Sequence, residues 1–417
     1  MCLESLRECA NRRAVRSIVE AEPYWVDVQP AGDCIPDLPP RTVLHSGPPL
    51  PFERLCGLHQ RGAINGALLE GWATDEADAV RQLRDGGIRV DSAMNYNTVG
   101  SGVGIVTPSV ALLVVEDRRT GCRAGVFPAE GAFGGGFCGW GVYSDAIRDN
   151  LRMMRDELFA PLRPLLRASG GFPLKPILAE GLQMGDEHHS RQTAGDLLFI
   201  RRLIPFLQAG KLPSAAQEKL LAYFASTGRF FHNFGQASSR CALLSAENIP
   251  HCTMVTAAGG NGVEYGIQVS GTGRKWYTAP SPMIEGSFRV AGIDPAEQLP
   301  WIGDSSITEC AGLGGIVSAA SPIVCGWRTA PLNDGVAVTR EMTRICIGEN
   351  PSYAIPALKF AAPPCGIDAV KAAESGVTPV IDGGMISGSG GWMGAGCTRI
   401  PLACFQKAAA AFQIAES

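Results

Sequence analysis

The chain has 417 residues, 46% of them apolar and 18% charged, with a formal net charge of −4. That balance excludes extensive disorder and offers no long-range attraction for nucleic acid. The length exceeds one small core and predicts two or three domains, while 51 glycines and 29 prolines without a collagen-like period predict many turns and close backbone approaches.

Taken in order, an amphipathic helix around Leu6, Val15 and Ile18 precedes a first strand in YWVDVQPAG and a proline-rich connection from Pro36 to Pro51. Leu55, Leu58, Ile64, Ala67 and Leu68 recur at helical spacing, and Thr74 with Asp75 and Glu76 starts a further helix that Gly86 and Gly87 end. VALLVVED reads as a strand, and the next strand runs into PAEGAFGGGFCGWG, a glycine cluster around Glu130. No G-x-x-x-x-G-K-[ST] pattern is present there, so a P-loop is rejected.

From Ser144 to about Ser226 the apolar period becomes 3.6: Ile147, Leu151, Met154, Leu158 and Leu162 form one stripe, and Leu197, Ile200, Leu203, Ile204 and Leu207 another. These periods predict a mixed α+β protein of α/β type, with two glycine-rich α/β domains at 1–143 and 236–417 and a helical module at 144–235 between them. FFHNFGQASSRCALLSAENIP reads as a connection and helix. In the last part, Asp368 opens a short helix that Gly376 closes, Pro379 enters a strand, and MISGSGGWMGAG forms a glycine loop before a C-terminal helix from Pro401 to Ala415. A G-x-G-x-x-G frame starting at Gly388 meets Met393 where the third glycine belongs, so a dinucleotide fingerprint is weak.

None of the 14 cysteines forms a C-x-x-C pair, and MCLESLRECANRR lacks an apolar signal core. Reduced thiols in a cytoplasmic protein fit better than a secreted disulfide framework or a zinc ribbon. Ala311 to Trp327 is uncharged but too short and too rich in small residues for a spanning helix. It predicts buried structure beneath a site, and no membrane partner is expected.

Four clusters combine polar residues with glycine at the ends of apolar strands, as expected where several loops converge on a small ligand. They are Glu130 with its glycines, GLQMGDEHHSRQTAGD, the stretch from Thr256 to Gly315, and the Gly383 to Gly396 loop. If Met184 to Arg191 were helical, Asp186 would share a face with His189, and Glu187 with Arg191, which suits an ion-paired acid/base set or a metal pair. The competing reading is a helix end with its histidines near C-terminal carbonyls and its acids in solvent. The H-E-x-x-H order is absent, and no metal is expected.

The order of MGDEHHSR, GVEYGIQVSGTGRKWYTAP, IGDSSITECAGLGG, IGENPSYAIPAL and PCGID resembles the bacterial family called domain of unknown function 1116, the YlbE-like proteins. The resemblance runs from Glu70 to the C-terminal helix. It implies a subunit of the oxamate carbamoyltransferase system of anaerobic allantoin breakdown, a small carbamoyl or amide substrate, and an acyl-CoA-synthetase-like partner subunit. The matching positions are Glu130, Gly185, Asp186, Glu187, His189, Arg191, Asn261, Glu264, Ser270, Thr278, Asp304, Ser305, Thr308 and Glu309. Departures from the family's pattern fall at Gly260 and Gln268 in place of arginines, Ser387 in place of histidine and Ser190 in place of asparagine. Fewer arginines imply a less anionic substrate, a changed reaction or lost activity.

Carbamoyl transfer needs donors at a developing oxyanion, a proton carrier and an anion clamp. His189 or Glu187 is the expected acid/base, Glu264, Asp304 and Glu309 would orient substrate amide N–H groups, and Glu130 and Asp186 complete the catalytic set. The backbone around Gly271 to Gly273 and Gly312 to Gly315, Gly314 included, is the expected oxyanion site. Arg191 or Arg274 would clamp the anion, with Asn261, Ser270, Thr278, Ser305 and Thr308 lining the substrate. A covalent route through Cys310 or Cys365 lacks an identifiable histidine partner. Carbamoyl phosphate or phosphate is the co-substrate this chemistry would use, and a homo-oligomer is expected. An amide or cyclic-imide hydrolase and a non-catalytic partner subunit are the competing classes.

Overall fold

The computed structural model describes residues 3–128, 141–227 and 229–416. Glu130 and its glycine cluster lie outside them.

Apolar alternation and β-branched runs build the strands, and the glycine-rich segments set how closely they approach. A five-stranded sheet contains β1 (Pro23–Pro30), β4 (Thr98–Val99), β5 (Ala111–Asp117), β6 (Arg123–Val126) and β7 (Phe172–Pro173) in the order β4-β6-β5-β1-β7. Beside it, β2 (Thr42–His45) and β3 (Arg89–Ser92) form a parallel pair. A four-stranded antiparallel sheet has the order β10-β9-β8-β12, from β8 (Val255–Asn261), β9 (Glu264–Val269), β10 (Tyr277–Pro280) and β12 (Ile302–Gly303). The third sheet, β11-β16-β15, joins β11 (Glu285–Phe288) to β15 (Val380–Ile386) and β16 (Trp392–Arg399). A last pair is β13 (Cys346–Glu349) with β14 (Pro364–Ile367). Among the described strands only β2–β3 and β4–β6 run parallel, so the mixed α+β class is realised mainly with antiparallel pairing.

The stretch read as a connection and helix is the helix Phe231–Leu244, every residue of which from Phe231 to Leu243 is buried. It packs on β5 and β6 on one side and on β8 and the short Ile307–Cys310 helix on another. A polar helix survives this burial because its side chains find partners. Arg240 donates to the carbonyls of Thr256 and Met94 and pairs with Glu247 at 2.7 Å, and Ser239 donates to Gly235. Aromatic side chains fasten the helical segments to the first sheet: Trp25 of β1 lies 5.0 Å from the Phe234 ring and 6.2 Å from Phe199.

The first stripe, Ile147 through Leu162, is buried as its spacing predicts. In the second, Leu203 and Leu207 are buried, whereas Leu197 and Ile204 are exposed on the opposite face of the helix Thr193–Ala209. The expected Gly383–Gly396 loop is instead the β15–β16 hairpin, with Gly384 opposite Ala395. Asp368 accepts from the N–H groups of Val370 and Lys371 to cap its helix, and Gly376 ends it at φ 69°. Uncharged Ala311 to Trp327 folds into short turns, Gly314–Ala320 wholly buried and Pro322–Cys325 with Pro322 and Ile323 exposed. No described helix is long and apolar enough to cross a membrane.

Two glycines fix how the layers meet. At Gly47 (φ 78°) a Cβ would lie 2.4 Å from the Gly260 carbonyl carbon, and at Gly314 (φ 56°) one would lie 2.2 Å from a Glu309 oxygen. Only a residue without a side chain fits either position.

Candidate functional site

The Met184–Arg191 segment is not helical. The helix Lys175–Gln183 stops at Met184, Gly185 turns the chain at φ 100°, His188 adopts φ 67°, and the next helix begins at Thr193. Within this loop the acids are buried rather than solvated. Asp186 accepts from the Gly195 N–H at 2.7 Å and from Arg191, fastening the loop to the start of the following helix. Glu187 turns its carboxylate onto the loop's own backbone, accepting from the N–H groups of His189 (3.1 Å), Ser190 and Arg191 (3.1 Å). His188 meets the Leu178 carbonyl, in the middle of the Lys175–Gln183 helix, at 2.8 Å through Nε2, while His189 turns to Glu309.

His189 Nδ1 lies 2.8 Å from Glu309 Oε1, and both side chains are buried. Glu309 also accepts from Thr308 Oγ1 (2.9 Å), the Gly315 N–H (2.9 Å) and the Asp382 N–H (3.2 Å). This arrangement places a proton on Nδ1 and leaves Nε2 as the exchangeable position of the neutral ring. Trp301 meets the His189 ring edge-on at 5.8 Å. Asp382, on β15, forms a buried two-pronged pair with Arg328 at 2.9 and 2.6 Å.

Burial is the main influence on these groups. It pushes the Glu187 carboxyl up to about 7, with Asp382 adding to the rise and His189 opposing it. For His189, burial disfavours the charged ring, yet the Glu309 carboxylate outweighs it and the pKa rises. Arg328 is likewise penalised by burial and then held charged by Asp382. His232 is pushed well below its usual range, first by burial and then by Arg229, and its neutral ring joins the side chains of Gln192 and Gln236.

Outside this network lies a cavity of about 460 Å³, whose lining includes Arg191, Gln192, Arg229, Arg289, Trp327 and Trp392. His189 is within two residues of this lining, Arg328 follows Trp327, and Asp382 lies two residues before Gly384, another lining position, on the same face of β15. The buried ionisable groups are therefore close in the chain to residues of the cavity lining.

The structure brings together Asp186, Glu187, His189, Arg191, Thr308, Glu309 and Gly314, the last through its N–H to the Glu187 carbonyl at 2.7 Å. Other expected site residues serve the scaffold. Glu264 makes a surface pair with Arg54, and Asn261 closes the β8–β9 turn by accepting from the N–H groups of Val263 and Glu264. Ser270 donates to the Ala246 carbonyl, Thr278 lies on β10 with its carbonyl accepting from Lys407, and Ser305 presents its carbonyl to Thr308. Arg274 is engaged by Glu247 and by Asn95 and Asn97. Asp304 accepts from the Gly47 and Gly100 N–H groups at 2.7 and 2.9 Å, and burial pushes it up to about 7 against those two bonds.

The glycine amides expected to form an oxyanion site are already bonded. Gly271 donates to Cys252 (2.8 Å), Gly273 to Ser270 (3.3 Å), Gly312 to the Glu309 carbonyl (3.0 Å), Gly314 to Glu187 and Gly315 to the Glu309 carboxylate. Burial pushes the Cys310 thiol up and that of Cys365 up to about 12, which removes the thiolate a covalent route would need. Asp382, Arg328, Arg229, Arg289 and Trp392 were not singled out in the sequence. The lone acid of VIDGG, flanked by glycines within an apolar strand, was the one local signal for Asp382.

In class, this is a mixed α+β protein with a buried acid–histidine network and an arginine-lined cavity. A crystallised conserved protein of unknown function from Enterococcus faecalis V583 has the same fold, with TM-score 0.94, 31% identity and 99% of each chain covered. The chain belongs to the family of oxamate carbamoyltransferase subunit AllG, whose model matches residues 88–305. It is 35% identical over 406 residues to the oxamate carbamoyltransferase subunit AllG of Escherichia coli (strain K12), covering 96% of each chain. The uncharacterized protein YahG of the same organism is 33% identical, over 96% of this chain and 84% of that one.

Proposed function

We propose that the protein is a subunit of a carbamoyl-transfer enzyme acting on a small carbamoyl or amide compound of the oxamate or oxalurate kind, with carbamoyl phosphate or phosphate as co-substrate. The observation that carries this reading is the His189–Glu309 pair at 2.8 Å beside a Glu187 carboxyl raised to about 7, in a chain of this family. Such groups are poised to exchange protons near neutrality, which acyl-type transfer at nitrogen requires.

In the synthetic direction the amide nitrogen of the acceptor attacks the carbamoyl carbon, a C–N bond forms, the C–O bond to phosphate breaks, and the nitrogen loses one proton. His189 Nε2 receives that proton, with Glu309 holding the ring by Nδ1 and favouring the imidazolium. Arg191, tethered by Asp186, faces the cavity as an anion clamp. A partner subunit completes the assembly, by analogy with relatives whose name describes a subunit.

The test is co-expression with the partner subunit, followed by the fate of ¹³C-labelled carbamoyl phosphate and oxamate. Labelled oxalurate formed by the wild-type assembly and lost in His189→Gln supports the reading. An assembly that forms none overturns it, and ammonia released without phosphate would identify an amide hydrolase instead.

A further inference from the structure

Resting on the carbamoyl-transfer reading, we infer that the cavity lined by Arg191, Arg229 and Arg289 is an oxoanion site, with these three guanidinium groups supplying the charge. Its lining carries these three guanidinium groups and no carboxylate. Two of them are fixed in place: Arg191 by Asp186, and Arg289 by lying 4.7 Å over the Trp327 ring. A fixed, weakly hydrated guanidinium loses less on binding an anion than a mobile lysine does.

Trp392 Nε1 is buried and has no hydrogen-bond acceptor among the described residues. That nitrogen is closed off from the open cavity, so the charge that would hold an anion comes from the arginines. Thr193, also in the lining, opens the 17-residue helix Thr193–Ala209, which has no side-chain cap. The positive end of that helix adds to the field, although Asp186 offsets part of it through Gly195.

These features define the ligand as a carboxylate or phosphoryl group joined to a small remainder. A volume of about 460 Å³ exceeds what a bare phosphate fills.

The experiment is calorimetric titration of the full chain with inorganic phosphate, oxamate and neutral urea, monitored in parallel by tryptophan fluorescence, which reports Trp327 and Trp392. Binding of either oxoanion, weakened by salt, with no response to urea is the expected result. Phosphate alone would assign the phosphoryl end and oxamate alone the carboxylate end. Arg289→Ala should weaken binding roughly tenfold to a hundredfold, with unchanged circular dichroism. Arg289→Lys, which keeps the charge, serves if the alanine variant does not fold. Absence of oxoanion binding, or binding indifferent to Arg289→Ala or, where that variant does not fold, to Arg289→Lys, overturns the inference. Oxoanion binding that depends on Arg289 in an assembly that transfers no carbamoyl group would leave the site standing and remove the transfer reading; transfer indifferent to it would do the reverse.

Discussion

His189 Nδ1 and Glu309 Oε1 are 2.8 Å apart although 120 residues separate them in the chain. The pair joins the loop after the Lys175–Gln183 helix to the turn after β12, and it leaves the second ring nitrogen for chemistry. Replacing Glu309 by Gln removes the carboxylate that sustains the imidazolium. The His189 pKa should therefore fall, seen as a shift to lower pH of its ring resonances in NMR titration, and turnover of the reconstituted assembly should drop by about 10²–10⁴. An unchanged titration would show that Glu309 does not set the protonation of His189.

The Arg328–Asp382 pair is wholly buried, so removing one partner strands the other's charge. Arg328→Ala or Asp382→Ala should each cost about 3–5 kcal/mol in urea unfolding. Arg328→Met combined with Asp382→Leu should cost less than the two single changes added together.

Asp304 supplies a pH test with a defined sign. Its folded pKa, about 7, is above the ordinary 3.8, so its contribution to stability is fully present below the unfolded value and is lost as pH rises through 7. The wild type should therefore lose stability relative to Asp304→Asn between about pH 4 and pH 7, by an amount on the order of a few kcal/mol. Urea unfolding of both proteins across that range measures it, and a wild type that gains stability relative to Asp304→Asn as pH rises would contradict the assignment.

Gly47 and Gly121 share a positive φ, 78° and 73°, but a Cβ at Gly47 meets the Gly260 backbone whereas at Gly121 nothing lies within 4 Å. Gly121→Ala should cost about 1–2 kcal/mol, the conformational term alone. Gly47→Ala should cost more than about 4 kcal/mol or yield insoluble protein, because backbone cannot move aside as a side chain can.

Glu264 is held in a surface pair with Arg54, whose side chain is 60% exposed. Glu264→Gln should leave turnover unaltered and change stability by less than about 1 kcal/mol. A large loss of turnover would return Glu264 to the site.

Local signals in the sequence were sufficient for local structure. Asp368 and Gly376 bound a helix, Asp75 caps another by accepting from the Asp78 N–H, and the Ile147 to Leu162 spacing is buried throughout. The MGDEHHSR and GDSSITE motifs also contain the histidine and glutamate that meet. The same motifs misled wherever glycine next to polar residues was read as ligand-facing. At Gly271, Gly312 and Gly315 the amides bond to the protein itself, and at Asn261 and Ser270 the side chains satisfy turns.

What the sequence by itself determined is therefore the set of elements, their caps and the presence of unusual polar residues in apolar surroundings, since these follow from backbone preference and periodicity within a few turns of chain. Tertiary structure alone decided that His189 faces Glu309 while His188 faces the Leu178 carbonyl, that Arg328 finds Asp382, and that three arginines from separate segments line one cavity. Those outcomes depend on desolvation and Coulomb energy between groups brought together by packing, and neither quantity exists until the distant segments are in contact.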